Sequence, residues 1–215
     1  MQVYASLREN LDSFALDELV RLSAYANSMD LGVGDYRPPK PAEVVEMAQR
    51  VPAVGVGEAV KALKSARNIV FILDNAGEVV FDRLLADKLR LMGKSVYAIV
   101  KSGSFQNDET VAELDYSRLR ESFDNVVGSG TDAASLFLEE ASREALELVS
   151  EADLVVAKGM ANYEYLSENV DRLGKPTLFL LVAKCEPIAK VLGVERRTIV
   201  AKLVVPSKPC GMAGG

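Results

Sequence analysis

NIVFILDNAGE, residues 68–78, is the stretch of sequence from which the fold can be predicted. It begins as a continuous apolar run and then changes abruptly to polar residues and a glycine. Four more apolar runs end in the same way: SVYAIV at 95–100, NVV at 125–127, ADLVVA at 152–157 and PTLFLLVA at 176–183. Short apolar runs that alternate with helical stretches are typical of buried parallel strands joined by crossover helices.

The chain is therefore expected to have an α/β fold: a doubly wound, mostly parallel sheet with helices on both faces and a small N-terminal helical segment. We assign 1–65 to the helical segment, 66–207 to the α/β domain and 208–215 to a flexible, glycine-rich tail. In sheets of this kind, ligands bind outside the carboxyl ends of the strands. The polar clusters that follow the five runs should therefore face one crevice.

Apolar periodicity and helix-ending glycines predict the positions of the helices. They are expected at 10–28, 42–50, 57–64, 78–91, 108–114, 133–149, 163–173 and 187–192. The stretch 198–205 predicts a last strand, antiparallel and at an edge of the sheet.

The composition excludes several classes of partner. A net charge of −6 over 215 residues argues against nucleic acid, because duplex binding requires a basic face. The chain has no apolar stretch of about 20 residues and no signal-peptide pattern at its start, so we expect a cytoplasmic protein without a membrane partner. Cys185 and Cys210 are too few for a disulfide framework and should be reduced.

Histidine is absent from the sequence, and this absence restricts the chemistry. Hydrolases with a histidine base and histidine-ligated zinc or iron sites each lose a required group. The Asp, Asn, Glu, Ser, Thr and Lys side chains at the predicted strand ends remain. Such hard oxygen ligands favour Mg²⁺ or Mn²⁺, which commonly meet phosphate oxygens in their remaining coordination positions. Phosphate chemistry is therefore the leading hypothesis.

Two strand-end clusters are candidate metal ligands. Asp74 and Asn75 stand side by side, and their oxygens can both reach one hard cation. The alternative is helix capping, since Asp and Asn are preferred N-cap residues. Asn107 and Asp108 follow the next strand and are ordinary capping residues on their own, but their position favours a shared metal.

The remaining clusters are candidate anion sites. The loop 128–132, which contains Ser129, has small residues whose N–H groups can hold an anion. Taken by itself, the loop favours a plain turn, and the lysine of a P-loop is missing. Lys158 follows an apolar strand directly, with Asn162 close behind, and Lys184 repeats the arrangement one strand later. A lysine in a crevice is costly unless it neutralises another charge, and phosphate serves that purpose.

Together these clusters resemble the DUF89, or ARMT1-like, family of metal-dependent damage-control phosphatases, and among its branches they resemble the archaeal one and the plant pantothenate-kinase-associated one most. The resemblance rests on 74–78, Asn107-Asp108, 158–164 and Lys184-Cys185, in order and in rough spacing. The segment 26–30 is similar to the family's Gly-Asn-x-x-Asp motif, with alanine in place of glycine. Archaeal members usually begin with a longer helical domain, so the resemblance predicts a shortened one here.

The resemblance implies hydrolysis of small phosphometabolites, such as sugar phosphates or damaged cofactor precursors, with a divalent cation as cofactor. Mg²⁺ or Mn²⁺ is expected first, and Co²⁺ or Ni²⁺ is an alternative. Asp74, Asn75 and Asp108 would bind the metal, and Asp74, Asp108 and Lys158 would be catalytic. The implied phosphate- and substrate-binding residues are Lys158, Asn162, Ser129, Glu78, Lys184, Asn27 and Asp30. Whether an aspartate or a metal-bound water is the nucleophile stays open.

A binding module is the competing interpretation. A doubly wound domain can sense a phosphorylated metabolite or nucleotide without hydrolysing it, because fold alone does not prove activity. A methyltransferase or kinase activity would require a nucleotide motif that this sequence lacks.

Overall fold

The computed structural model describes residues 2–29 and 39–207. Seven strands lie within these residues: β1 Ala53–Val54, β2 Asn68–Ile72, β3 Ser95–Val100, β4 Asn125–Gly128, β5 Leu154–Lys158, β6 Thr177–Val182 and β7 Ile199–Val204. The helices are α1 Gln2–Arg8, α2 Leu16–Ala26, α3 Pro41–Arg50, α4 Val56–Ser65, α5 Val79–Leu91, α6 Leu114–Ser117, α7 Arg143–Glu151, α8 Gly159–Leu166, α9 Val170–Leu173 and α10 Glu186–Leu192. The predicted tail at 208–215 lies outside the described residues.

The strands form one sheet in the order β1-β7-β6-β5-β2-β3-β4. Strands β2 to β6 are parallel to one another, and β7 runs antiparallel to β6. The chain starts the parallel part at β2, adds β3 and β4 on one side, and then returns to add β5 and β6 on the other. The predicted doubly wound fold is confirmed. Its topological switch point lies between β2 and β5, where such sheets bind ligands.

Each face of the sheet is covered by a separate apolar core. Strand β2 shows the alternation, because Ile69 and Phe71 belong to one core while Val70 and Ile72 belong to the other. Helices α2, α4 and α5 contribute to the first core, and α7, α8 and α9 contribute to the second. Burial on both faces explains why these strands read as continuous apolar runs rather than as alternating ones.

Four helix predictions were wrong in extent. The helix predicted at 10–28 is α-helical only over Leu16–Ala26, and α1 was not predicted. Residues 108–113 are not helical, because the Glu109 N–H donates to the Asp74 carbonyl at 2.8 Å and its own carbonyl accepts from the Lys101 N–H at 3.0 Å. The predicted helix at 133–149 begins only at Arg143, where the Ser142 side chain caps it. The predicted helix at 163–173 is two helices, α8 and α9, separated at Asn169, whose side chain donates to the Tyr165 carbonyl at 2.8 Å.

The last strand is antiparallel, as predicted, but it is not at the edge. The two-residue strand β1 pairs with it in parallel, Ala53 beside Ile199, and occupies the edge position. The predicted boundary between the helical segment and the α/β domain, at residues 65 and 66, stays a prediction. Strand β1 lies on the N-terminal side of this boundary and nevertheless joins the main sheet. Within residues 2–29 and 39–207, no helix has both the length and the apolar character needed to span a bilayer.

Candidate active site

A cavity of about 200 Å³ opens at the carboxyl ends of the strands. The loops after β2, β3, β4, β5 and β6 each contribute to it, so one space is shared by five strand ends. The described residues that line it are Asp74, Asn75, Phe105, Gln106, Asp108, Ala134, Met160, Ala161, Glu164 and Lys184. The predicted metal ligands Asp74, Asn75 and Asp108 are therefore brought together, and Lys184 lies with them.

Backbone hydrogen bonds hold the loops after β2 and β3 side by side. Asn75 and Asp108 form an isolated antiparallel bridge, and the Ala76 N–H donates to the Asn107 carbonyl at 2.9 Å. Within the first loop, the Asn75 amide donates from Nδ2 to Asp74 Oδ2 at 3.0 Å. Because the amide nitrogen is used in this way, the Asn75 Oδ1 is the atom left to act as a ligand. The arrangement places two carboxylates and one amide oxygen on one wall of the cavity.

The electrostatics of this wall favour a cation. Burial raises the pKa of Asp74 well above its usual range, and the charges of Glu78 and Asp108 raise it further, against the opposing effect of Lys101 and Lys184. A bound cation would stabilise the ionised carboxylate that burial and its neighbours disfavour. Among the described residues, no group of three or more His, Cys, Asp or Glu side chains is placed to hold a metal. The candidate ligand set is therefore mixed, with an amide and solvent completing it, as Mg²⁺ allows.

Lys101 belongs to this site and was missed by the sequence analysis. Its ammonium lies 3.5 Å from Asp108 Oδ2 and donates to the Ala134 carbonyl at 2.9 Å, and both charged side chains are buried. The signal was present in the sequence, because Lys101 follows the apolar run at 95–100 just as Lys158 and Lys184 follow theirs. Lys101 offsets the negative charge of Asp108 and fixes its position.

Glu164 and Gln106 are two further lining residues that the site prediction left out. Glu164 is on α8, inside the segment 158–164 that carries the family resemblance. Gln106 has a φ of 48°, in the left-handed region that residues other than glycine rarely adopt. Strained backbone of this kind is concentrated at functional sites, so the loop after β3 presents Gln106 to the cavity at some conformational cost.

Asn27 and Glu78 stand behind Asp74 instead of lining the cavity. The Asn27 Nδ2 donates to Asp74 Oδ2 at 3.1 Å and to Glu78 Oε2 at 3.0 Å. All three side chains are buried. The Asn27 amide thus links Asp74, the candidate metal ligand, to the carboxylate of Glu78. This geometry supports a role for Asn27 and Glu78 in positioning Asp74 more than a direct contact with substrate.

Lys158 is also placed behind the site. Its ammonium is fully buried, lies 2.9 Å from Asp82 Oδ1 and 3.6 Å from Glu78 Oε1, and donates to the Ser23 carbonyl at 2.6 Å. Burial alone would lower the pKa of Lys158, but the charges of Asp82 and Glu78 outweigh it and raise that pKa. The charge that this lysine neutralises is therefore internal, and the geometry does not support its predicted direct contact with phosphate.

The other predicted phosphate contacts also lie off the described lining. Asn162 is buried, where its Oδ1 accepts from the Ser135 hydroxyl at 2.9 Å and its Nδ2 donates to the Lys158 carbonyl at 2.8 Å. The Ser129 hydroxyl donates to the Thr131 carbonyl at 2.9 Å, inside its own turn. Asp30 lies outside the described residues. Of the predicted phosphate contacts that the structure describes, Lys184 alone lines the cavity.

Comparison with known proteins gives one family. The model of the damage-control phosphatase ARMT1-like domain matches residues 1–200. A damage-control phosphatase of Archaeoglobus fulgidus is 39% identical over 147 residues, which are 68% of this chain and 50% of that protein. The damage-control phosphatase PH1575 of Pyrococcus horikoshii is 36% identical over 185 residues, which are 84% of this chain and 62% of that protein.

The structure of PH1575 has been solved, and it is similar to this chain in fold. The crystal structure of a DUF89 family protein from Pyrococcus horikoshii matches with a TM-score of 0.75 and 30% sequence identity, and the match covers 93% of this chain and 70% of that one. The chain spans about half the length of the curated relatives that it matches, between 43% and 62%. With a family model that covers nearly all of its residues, the chain belongs to the damage-control phosphatase ARMT1-like domain family.

Proposed function

We propose that this protein is a divalent-metal-dependent phosphatase that hydrolyses the phosphate ester of a small phosphorylated metabolite. The observation that carries the proposal is the cavity in which Asp74, Asn75 and Asp108 share a space with Lys184. A cation site beside a lysine is suited to a phosphate group, which is bound by both a metal and an ammonium.

Asp74, Asn75 and Asp108 are the residues that would hold the cation, with Mg²⁺ or Mn²⁺ preferred because every donor is a hard oxygen. When bound, the cation offsets negative charge that develops on the transferring phosphoryl group. The buried Asp74 carboxylate fits such a role, since its neighbours Glu78 and Asp108 are also acidic.

The lysines have two different roles in this proposal. Lys184 lines the cavity, and its ammonium donates to the Asn27 carbonyl at 2.8 Å, which holds its position. It would bind the phosphate oxygens as a fixed positive charge. Lys158 lies behind the cavity and neutralises Glu78 and Asp82, so that Asn27 and Asp74 keep their orientation.

The size of the cavity favours a small substrate. A volume of about 200 Å³ admits a phosphate group and a few further atoms, and Glu164 and Gln106 supply polar groups to its walls. Hydroxyl groups of a sugar phosphate or of a cofactor precursor would hydrogen-bond to such side chains. A cytoplasmic location fits substrates of this kind and is part of the same proposal.

The decisive experiment measures phosphate release. The purified protein is incubated with p-nitrophenyl phosphate and with a panel of sugar phosphates, in the presence of Mg²⁺, Mn²⁺, Co²⁺ or Ni²⁺ and then with a chelator. Release that requires a metal and stops with the chelator is expected. No release from any substrate with any of the four metals would overturn the hydrolase proposal and favour a binding module for phosphorylated metabolites.

A further inference from the structure

A second and larger cavity lies on the other side of the 74–78 loop. Its volume is about 490 Å³, which is within the range of small-molecule sites. Asp74 and Asn75 line the candidate active-site cavity, while the next two residues, Ala76 and Gly77, line the second cavity. Among the described residues, the two cavities share no lining residue.

The walls of this cavity are largely apolar. Val3, Val80 and Phe81 come from α1 and α5, and Tyr116 of α6 is 81% exposed at the cavity. Ligand pockets of proteins are typically apolar spaces with a small number of placed polar groups. The phosphatase proposal makes no use of this space.

One buried polar group in the wall lacks a well-formed hydrogen bond. Glu109 is 1% exposed, and neither of its carboxylate oxygens accepts a well-formed hydrogen bond. Burial raises the pKa of Glu109 to about 7, against the weaker opposing effect of the Ser117 hydroxyl. Its backbone is fixed, because its N–H donates to the Asp74 carbonyl at 2.8 Å. A buried carboxylate that lacks such a bond is costly, and in a native structure it requires an explanation.

Glu113, a second carboxylate in the same wall, differs from Glu109 because it accepts well-formed hydrogen bonds. Glu113 accepts from both the backbone N–H and the hydroxyl of Thr110, so its hydrogen-bonding capacity is used locally. Among the described lining residues, Glu109 is the carboxylate left to gain its hydrogen bonds from the cavity. A carboxylate accepts and never donates when ionised, so its complement is an N–H group, and an ammonium is the strongest one.

We propose that this second cavity binds a small molecule with an apolar body and a primary ammonium group, and that the ammonium pairs with Glu109. The apolar walls bind the body of the ligand, and Glu109 selects the amine over a neutral or anionic analogue. The proposal is independent of the phosphatase function, since it concerns binding in a separate cavity.

Three matched probes test the proposal by NMR titration of the full chain: 4-phenylbutylamine, 4-phenylbutanol and 4-phenylbutanoate. The amine is expected to bind most tightly and to shift the signals of Gly77 and Tyr116. Glu109→Gln should weaken amine binding at least about 10-fold while leaving alcohol binding within about 3-fold, on the scale of losing one charge-assisted hydrogen bond. Glu113→Gln removes the same charge from the same wall and should change amine binding much less.

Two further variants test whether the probes bind in the second cavity. Val80→Phe fills this cavity and should abolish binding of both the amine and the alcohol. Glu164→Gln, in the candidate active-site cavity, should leave the binding of both probes unchanged. Glu109→Gln should fold, because it replaces a buried carboxylate, whose charged form burial disfavours, with a neutral amide of the same shape. Equal amine affinity in wild type and Glu109→Gln would overturn the proposal. So would amine binding that is lost in Glu164→Gln and kept in Val80→Phe.

Discussion

Gly159 lies directly against the carboxylate of Asp74. A Cβ atom at position 159 would lie 1.8 Å from Asp74 Oδ2 and 2.5 Å from its Cγ. Gly159 also has a φ of 79°, which side chains of L-residues rarely adopt. The first residue of α8 must therefore be a glycine for Asp74 to keep its place beside Asn27 and Asn75.

Gly159→Ala tests this relationship. The added methyl group should displace Asp74, so Mn²⁺ affinity is expected to fall about 10- to 100-fold, the usual effect of losing support behind a metal ligand. Isothermal titration with Mn²⁺ measures it. Gly193→Ala is the matched control, because Gly193 has a similar φ of 67° but open space around its Cβ position. Equal Mn²⁺ affinity in both variants would contradict the steric argument.

Asp74→Asn should reduce phosphate release by at least about 100-fold, because it removes one charged element of the site without changing its size. Its melting temperature should hold or rise, since Glu78 and Asp108 lose a repulsive neighbour. Phosphate release and calorimetry are measured on the same preparation. Activity at the wild-type level would exclude Asp74 as a ligand or nucleophile.

Lys184→Met separates phosphate binding from metal binding. Loss of the fixed positive charge should lower kcat/KM by about 100-fold through weaker stabilisation of the transition state. Mn²⁺ affinity should hold or rise, because the substitution removes the Lys184 ammonium, whose positive charge repels a bound metal ion. Lys190→Met is the control, an exposed lysine on α10. A loss of Mn²⁺ affinity that equals the loss of activity would point to a structural role for Lys184.

Lys158→Met should chiefly destabilise the fold. Removing one partner from a buried ion pair leaves Asp82 and Glu78 unneutralised, at a cost of about 3–5 kcal/mol in the free energy of unfolding. Denaturant unfolding measures this cost, and the double variant Lys158→Met with Asp82→Leu should recover part of it. If the variant keeps wild-type stability but loses turnover, that result would support the direct contact between Lys158 and phosphate that was predicted from the sequence.

Asp153 gives a pH-dependent test away from the site. Its carboxylate accepts from the backbone N–H groups of Arg67 and Asn68, each at 2.9 Å, and these bonds hold the pKa of Asp153 below its usual 3.8. Because the folded-state pKa is lowered, the stabilisation is present above 3.8 and is lost as pH falls through and below that value. The effect is small, since the side chain is exposed.

Asp153→Asn should therefore lower stability at neutral pH and flatten its decline in acid. Urea midpoints between pH 6 and pH 2 report both effects. Parallel pH profiles for wild type and variant would show that the carboxylate does not favour its ionised form through these bonds.

The sequence by itself determined the sheet and its functional edge. Continuous apolar runs specify strands buried on both faces, and the abrupt change to polar residues marks where each strand ends, as at Asp74 and Asp108. Both signals are local, because they depend on the periodicity of neighbouring residues. The two-residue strand β1 is too short to produce such a pattern and was missed.

Only the tertiary structure decided which strand-end lysine reaches the cavity. Lys158 and Lys184 look alike in sequence, since each follows an apolar strand. Lys158 is held by Ser23, 135 residues away, and by Asp82 of α5, whereas Lys184 lines the cavity. Long-range partners decide whether a buried ammonium neutralises the protein's own carboxylates or faces a ligand, and no local pattern encodes that choice.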